Sequence, residues 1–222
     1  MGLFKIPSGE ITNIPYLRKI GSLKKRVLLS TGMSNTEEIK IAIQTLLTSG
    51  TKKKNITVLH CSSDYPAKNN NLNLLSIPFL KKKFNVNVGY SDHSLGLDAS
   101  LTAVALGAKV IEKHFTINNK LYGPDHKASL NSTQLFKLVK RIRNVESSLG
   151  DYLKKPSSAE LKNSKFVRKF IVAKKKIKKG ERFSEKNLTT KRALIGIPAS
   201  KWDFIIGKKA KKDFINNENI KN

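Results

Sequence analysis

From residue 4 to about residue 149, short apolar runs alternate with stretches of helical periodicity. The apolar runs at 4–6, 27–30, 56–61, 86–90 and 109–114 predict strands, and the segments 16–21, 36–49, 72–84 and 97–107 between them predict helices. A further helix is predicted over 132–149, where Leu135, Leu138, Val139, Ile142 and Val145 recur at helical spacing. In the second predicted helix Ile39, Ile43, Leu46 and Leu47 do the same, and Thr36-Glu37-Glu38 reads as its start, with Thr36 as the cap. Strand alternating with helix implies a parallel sheet with right-handed crossovers. In nearly every unit the polar residues gather at the C-terminal end of the strand: Lys5 and Ser8; Ser30 and Thr31; Ser62, Ser63 and Tyr65; Ser91 and His93; Glu112 and His114. A TIM barrel carries its chemistry on that rim, but it needs eight strands, and five are predicted here. Two architectures fit: a smaller open sheet, or a barrel without its first three units.

After residue 150 the pattern changes. Residues 151–164 (DYLKKPSSAELKNS) read as a polar linker with a Pro-Ser-Ser turn. Residues 165–222 follow as a small, mostly β domain: a strand over 166–174, a turn at 177–181, a second strand over 188–192, and a short helix near Trp202.

Composition changes this picture little. No run of about 18 apolar residues offers a membrane span, and MGLFKIPSGE lacks the basic start and apolar core of a signal peptide. Cys61 is the single cysteine, which excludes a disulfide framework and fits a reducing cytoplasm. The formal net charge of +27 invites a nucleic-acid reading. Against it, Lys outnumbers Arg 36 to 7, and the lysines are spread over every segment. Arg is the better reader of bases and phosphates, so a solvated surface, with long-range attraction for anionic substrates, is the preferred account.

The two most informative fragments are Ser91-Asp92-His93 and Glu112-Lys113-His114. Each histidine follows a strand, so both would stand at one rim on neighbouring strands about 5 Å apart. That spacing suits two imidazoles on one divalent cation, and they alone do not choose among Mn²⁺, Fe²⁺, Co²⁺ and Zn²⁺. The competing reading is one histidine bonded to a loop carbonyl and the other left at the surface. Glu112 lies two residues before His114, hence on the same face, where a carboxylate could orient water or move a proton; otherwise it pairs with a lysine. Lys5, Ser8, Ser30, Thr31 and Ser91 form a set of hydroxyls and one ammonium suited to phosphate or carboxylate oxygens. Gly123-Pro124-Asp125-His126 is a turn signal, with Asp125 a candidate ligand for sugar hydroxyls. His60 and Cys61 sit in an apolar run and read as core, with Cys61 inert.

Taken in order, KIPSGE, LLSTGM, LHCSSDYP, VGYSDHSLG, VIEKHFT and GPDHKASL resemble the sialic-acid (N-acetylneuraminate) synthases. The stretch IVAKKKIKKGERFSEKNLTTKR with GKKA resembles the antifreeze-like SAF domain that closes those enzymes. The resemblance implies an α/β chain: the last five units of a TIM barrel, then a small β-rich SAF domain, in a domain-swapped homodimer. It implies condensation of phosphoenolpyruvate with N-acetylmannosamine or a related hexosamine and release of phosphate. His93 and His114 match metal ligands, for Mn²⁺; Lys5, Ser8, Ser30, Ser63 and Ser91 match phosphoenolpyruvate-binding positions. Tyr65 and Asp125 match sugar-side positions, and Glu112 the carboxylate beside the reacting centre. Arg192 matches an arginine that reaches the partner subunit's barrel to hold the sugar's N-acetyl group.

Two departures bear on these expectations. Ser63 stands where relatives carry Asn, and Ala193-Leu194 follows Arg192 where relatives have Pro-Gly. Three N-terminal barrel units of the family have no counterpart in the sequence, so the chain is expected to be inactive and poorly soluble alone, with a separate N-terminal barrel fragment as one possible partner. Legionaminic or pseudaminic acid synthesis is the rival within the family, the run Asp125–Ser129 being less like the pseudaminic enzymes. A non-catalytic remnant or binding module is the rival outside it, and nucleic-acid binding comes third.

Overall fold

The computed structural model describes residues 2–221, in two compact units divided between Asp151 and Tyr152. The first unit runs β1 (Leu3–Ile6), α1 (Ile14–Ser22), β2 (Arg26–Ser30), α2 (Thr36–Thr48), β3 (Ile56–Cys61), α3 (Ser76–Phe84), β4 (Asn87–Asp92), α4 (Asp98–Ala105), β5 (Ile111–Lys113) and α5 (Ser132–Leu149). The five strands pair in sequential order, every pair parallel. A doubly wound sheet would reverse its order somewhere; this one never does, so it is a half-barrel of consecutive β/α units.

Strand alternation assigns the two faces. Ile6, Leu29, Val58 and Val88 stand in one register row, each at most 1% exposed. They pack with Leu17, Ile20, Ala42, Ile43, Leu46, Ile77 and Leu80 of the helices into one core. Each large side chain so buried contributes about 1.5–3 kcal/mol. The opposite parity forms the concave face, with Ser30, Leu59 and Gly89 in one row and Cys61, Ser91 and Glu112 in another. A β-carbon at Gly89 would overlap the Leu59 side chain and the Val110 carbonyl, so the close approach of β4 to its neighbours requires glycine. Curvature is considerable: Lys5 Nζ on β1 lies 3.4 Å from Glu112 Oε1 on β5. Four flat strand spacings would separate those backbones by about 19 Å.

Three details depart from the sequence reading. Asn35, not Thr36, caps α2: its Oδ1 accepts from Glu37 N (2.9 Å) and Glu38 N (3.0 Å), while Glu38 Oε2 accepts from Asn35 N at 2.8 Å. Asn is among the strongest caps and completes a reciprocal box there. α3 starts at Ser76 rather than near Leu72, because Asn73 takes a left-handed conformation (φ 44°). On α5 only Leu138 of the apolar stripe is buried, since α5 packs against α4, while Leu135 and Val139 are exposed.

In the second unit, α6 (Ser158–Val167), opened by a Ser157–Glu160 capping box, takes up the later part of the expected linker and the first two residues of the strand expected over 166–174. β6 (Lys169–Ala173) pairs antiparallel with β7 (Leu188–Arg192), and a short α7 (Trp202–Ile205) follows. Single bridges from Phe170 to Pro198, Val172 to Asn219, Ile177 to Phe214 and Arg182 to Lys209 extend the β character. Ile171, Ile177, Phe183, Leu188, Phe214 and Ile220 form its core.

Candidate functional site

The C-terminal ends of the five strands gather most of the residues singled out in the sequence. Because Ser91 is in register with Glu112, their side chains meet on the concave face, and Ser91 Oγ donates to Glu112 Oε1 at 2.7 Å. The Lys5 ammonium reaches the same oxygen, so the lysine pairing considered for Glu112 does occur. Ser8 Oγ accepts from Gly32 N at 2.9 Å, tying the loop after β1 to the loop after β2. A β-carbon at Gly32 would overlap both Ser8 Oγ and Ser63 Oγ, so glycine lets three strand ends converge there. Ser30 Oγ is buried and has no hydrogen-bond partner among the described residues. A buried hydroxyl left unpaired is costly unless a ligand serves it.

His93 and His114 follow the Asp92–Lys113 register pair by one residue. Their ring centroids lie 5.3 Å apart at 80°. His93 Nδ1 lies 2.6 Å from the Ser62 carbonyl. A carbonyl only accepts, so Nδ1 carries the proton and Nε2 keeps its lone pair, the arrangement a metal-binding imidazole needs. Burial pushes the His93 pKa below its usual value, the Ser62 carbonyl acting in the opposite sense. His114 Nδ1 is 3.6 Å from Asp125 Oδ2. Tyr65 lies over His93, with centroids 4.1 Å apart, and 5.7 Å from His114. Tyr65, His93, His114 and Asp125 share a cavity of about 320 Å³. The Asp125 turn is held from outside by Asn119, which donates to the carbonyls of His126 (2.9 Å) and Ser129 (2.7 Å).

Among the described residues, no group of three or more His, Cys, Asp or Glu is arranged to hold a metal ion. The imidazole pair, with one tautomer fixed, nevertheless fits two ligand positions of a cation whose remaining sites are filled by water or substrate oxygen.

Cys61 is 7% exposed, as expected, but it belongs to the site rather than to a remote core. It shares the row of Ser91 and Glu112, and its sulfur lies 3.8 Å from His93 Nδ1. Burial raises its pKa, partly offset by the hydroxyls of Ser8 and Ser91. The two-residue alternation that put Glu112 beside His114 also puts Cys61 level with Ser91, given the register. His60, one residue earlier, faces the helices, stacking on Tyr90 and donating Nε2–H to the Leu72 carbonyl at 2.6 Å. Arg192 ends β7 in the second unit and is exposed.

Sequential parallel β/α units with an ammonium, hydroxyls, a carboxylate and two imidazoles at their C-terminal mouth define a segment of a β/α barrel, followed along the chain by a small β unit. The chain belongs to the NeuB family, whose model matches residues 1–154, and an SAF domain model matches 168–222. The N,N'-diacetyllegionaminic acid synthase of Campylobacter jejuni is 53% identical over 219 residues, covering 99% of this chain and 66% of that protein. The enzyme of the same name from Legionella pneumophila is 42% identical, covering 91% of this chain and 58% of its own length. The crystal structure of N-acetylneuraminic acid (sialic acid) synthetase from Leptospira borgpetersenii aligns with a TM-score of 0.69 at 34% identity, over 73% of this chain and 56% of that one. The chain thus spans less than two thirds of the length of these relatives. Among the described residues, no helix is long and apolar enough to cross a membrane.

Proposed function

We propose that the mouth of the first unit is the phosphoenolpyruvate- and cation-binding part of a nonulosonic-acid synthase site. The observation that carries this reading is the convergence of Lys5 from the first strand with Ser91, Glu112, His93 and His114 from the last two. Lys5, Ser8, Ser63, Ser91 and the unpaired Ser30 hydroxyl would hold the phosphate and carboxylate oxygens of phosphoenolpyruvate. His93 and His114 would hold the cation, Mn²⁺, which when bound supplies Lewis-acid polarisation of the acceptor's aldehyde oxygen. The phosphoenolpyruvate methylene carbon would bond to the aldehyde carbon as the carbonyl π bond opens and its oxygen takes up a proton; water would add at the former enol carbon with loss of a proton, and cleavage of the C–O bond there would release phosphate. Glu112, held between Ser91 and Lys5, would take the proton of that water. Tyr65 and Asp125 line the sugar side of the cavity.

The two legionaminic synthases favour a diacetylated product over N-acetylneuraminate, the acid first expected from the sequence. Phosphoenolpyruvate carries no nitrogen, so both acetamido groups of such a product come from the acceptor, a diacetamido hexose. Arg192 would contribute to acceptor binding in a partner subunit of a homodimer.

Calorimetric titration of phosphoenolpyruvate into the Mn²⁺-treated chain tests the first part. Saturable binding that is lost in Lys5→Ala is expected, and absence of binding, or equal binding by the variant, contradicts it. Turnover, assayed with a fragment supplying the portion of the relatives that the chain does not span, is expected with the diacetamido hexose. Preference for N-acetylmannosamine would return the assignment to N-acetylneuraminate.

A further inference from the structure

Behind the mouth, on the helix-facing side of β4 and β5, lies a polar network that the chemistry above does not use. Asp92 and Lys113 form an ion pair at 2.8 Å, with side chains 0% and 4% exposed. Asp92 Oδ2 also accepts from Ser100 Oγ of α4 at 2.6 Å, and Oδ1 accepts from Ser94 N (2.8 Å) and Ser94 Oγ (2.7 Å). The carboxylate is thereby fully engaged. Lys113 Nζ makes a second bond, to the Ser94 carbonyl, at 2.6 Å.

The position of this network is what gives it consequence. Strand side chains alternate, so Asp92 and Lys113 point towards α4 while the residues that follow them, His93 and His114, belong to the concave face. Lys113 grips residues 92 and 94, the two that flank His93, and itself immediately precedes His114. β5 is only three residues long; it pairs with Tyr90, Ser91 and Asp92, and a further backbone bond from Lys109 N to the Val88 carbonyl (2.7 Å) lies at the end away from the histidines, so few ladder bonds set the register beside them. A slip of one residue would turn His114 away from His93. A buried ion pair is a poor source of net stability, but fixing register is its best-attested use.

We propose that Asp92 and Lys113 are positioning residues, whose buried pair fixes β4 against β5 and so holds the two imidazoles at the spacing one cation requires. The cation part rests on the function proposed above; the spacing of the rings does not.

The test uses the full chain with labelled histidines and the double variant Asp92→Asn/Lys113→Met, which removes both buried charges together. In the unsubstituted protein an Overhauser cross-peak between the His93 and His114 rings is expected. In the variant, circular dichroism is expected to show a folded protein, the cross-peak to vanish, and Mn²⁺ affinity to fall about 10–100-fold, the usual loss when the outer partners of a metal site are removed. A folded variant that keeps both the cross-peak and the affinity overturns the proposal. Should the double variant not fold, Ser100→Ala decides. It is expected to weaken the cross-peak and Mn²⁺ binding with little change in melting temperature, and no change in either overturns the proposal. If the unsubstituted chain binds no Mn²⁺, the cation reading fails, and the clasp stands or falls on the cross-peak alone.

Discussion

The two units handle polarity in opposite ways. Among the described residues every buried polar or charged side chain except Asn187 lies in the first unit, from Ser30 and Thr31 to Thr116 and Ser129. The second unit closes an apolar core around Ile171, Ile177, Leu188 and Phe214, and its one buried amide ties a turn together, Oδ1 accepting from Ser184 N and Nδ2 donating to the Arg182 carbonyl and to Glu181 Oε1. Burying polar groups costs stability unless each finds a partner. Of the buried polar residues of the first unit, Ser30, Thr31, Ser91 and His93 stand at the strand ends of the mouth, while Asp92, Ser94 and Ser100 form the network behind it.

That contrast can be broken in several ways. The largest effect is expected from Ile171→Ala, which removes a fully buried side chain from the second core. It should cost about 2–5 kcal/mol in chemical denaturation and leave Mn²⁺ binding by the first unit unchanged; a parallel loss of Mn²⁺ affinity would erase the division of labour. His93→Ala should do the reverse, weakening Mn²⁺ affinity by more than about 100-fold, beyond the loss typical of outer partners, with a small change in stability. Gly32→Ala forces Ser8 and Ser63 apart and should cost about 1–3 kcal/mol as an overpacked site, with weakened phosphoenolpyruvate binding seen by calorimetry. Asn35→Ala removes the α2 cap and should cost about 1 kcal/mol without touching the mouth.

The smallest effect concerns pH. Burial lowers the pKa of both His60 and His93 below the unfolded value. The folded first unit therefore binds fewer protons than the unfolded chain. The stability linked to these histidines is fully present above about pH 6.5 and is lost as pH falls below it. Melting curves at neutral and mildly acidic pH should show this decline, reduced in His60→Asn.

Much of this was legible in the sequence because two periods carry it. The 3.6-residue stripe located the helices, β3 falls on the residues its apolar run indicated, and β7 on the strand expected over 188–192. The i, i+2 parity of Ser91 with His93 and of Glu112 with His114 placed four site residues on one face. What escaped depends on register and on partners distant in sequence. Cys61 joins the site only because β3 aligns it with Ser91. Asp92 and Lys113 occupy the parity that a search for mouth residues discards, and nothing local announces that they meet. The α5 stripe was legible as a helix, but periodicity does not say how much of a face is covered. The capping of α2 by Asn35 and of α6 by Ser157 turned on reciprocal side-chain bonds within runs of competent caps.

The central claim is that the imidazoles of β4 and β5 hold one cation in front of Glu112. A crystal structure of the chain grown with Mn²⁺ and phosphoenolpyruvate tests it most directly. Anomalous density for one manganese is expected within bonding distance of His93 Nε2 and a His114 ring nitrogen, with phosphoenolpyruvate oxygens on Lys5 and Ser30. Manganese bound elsewhere, or held by only one of the two rings, would contradict it.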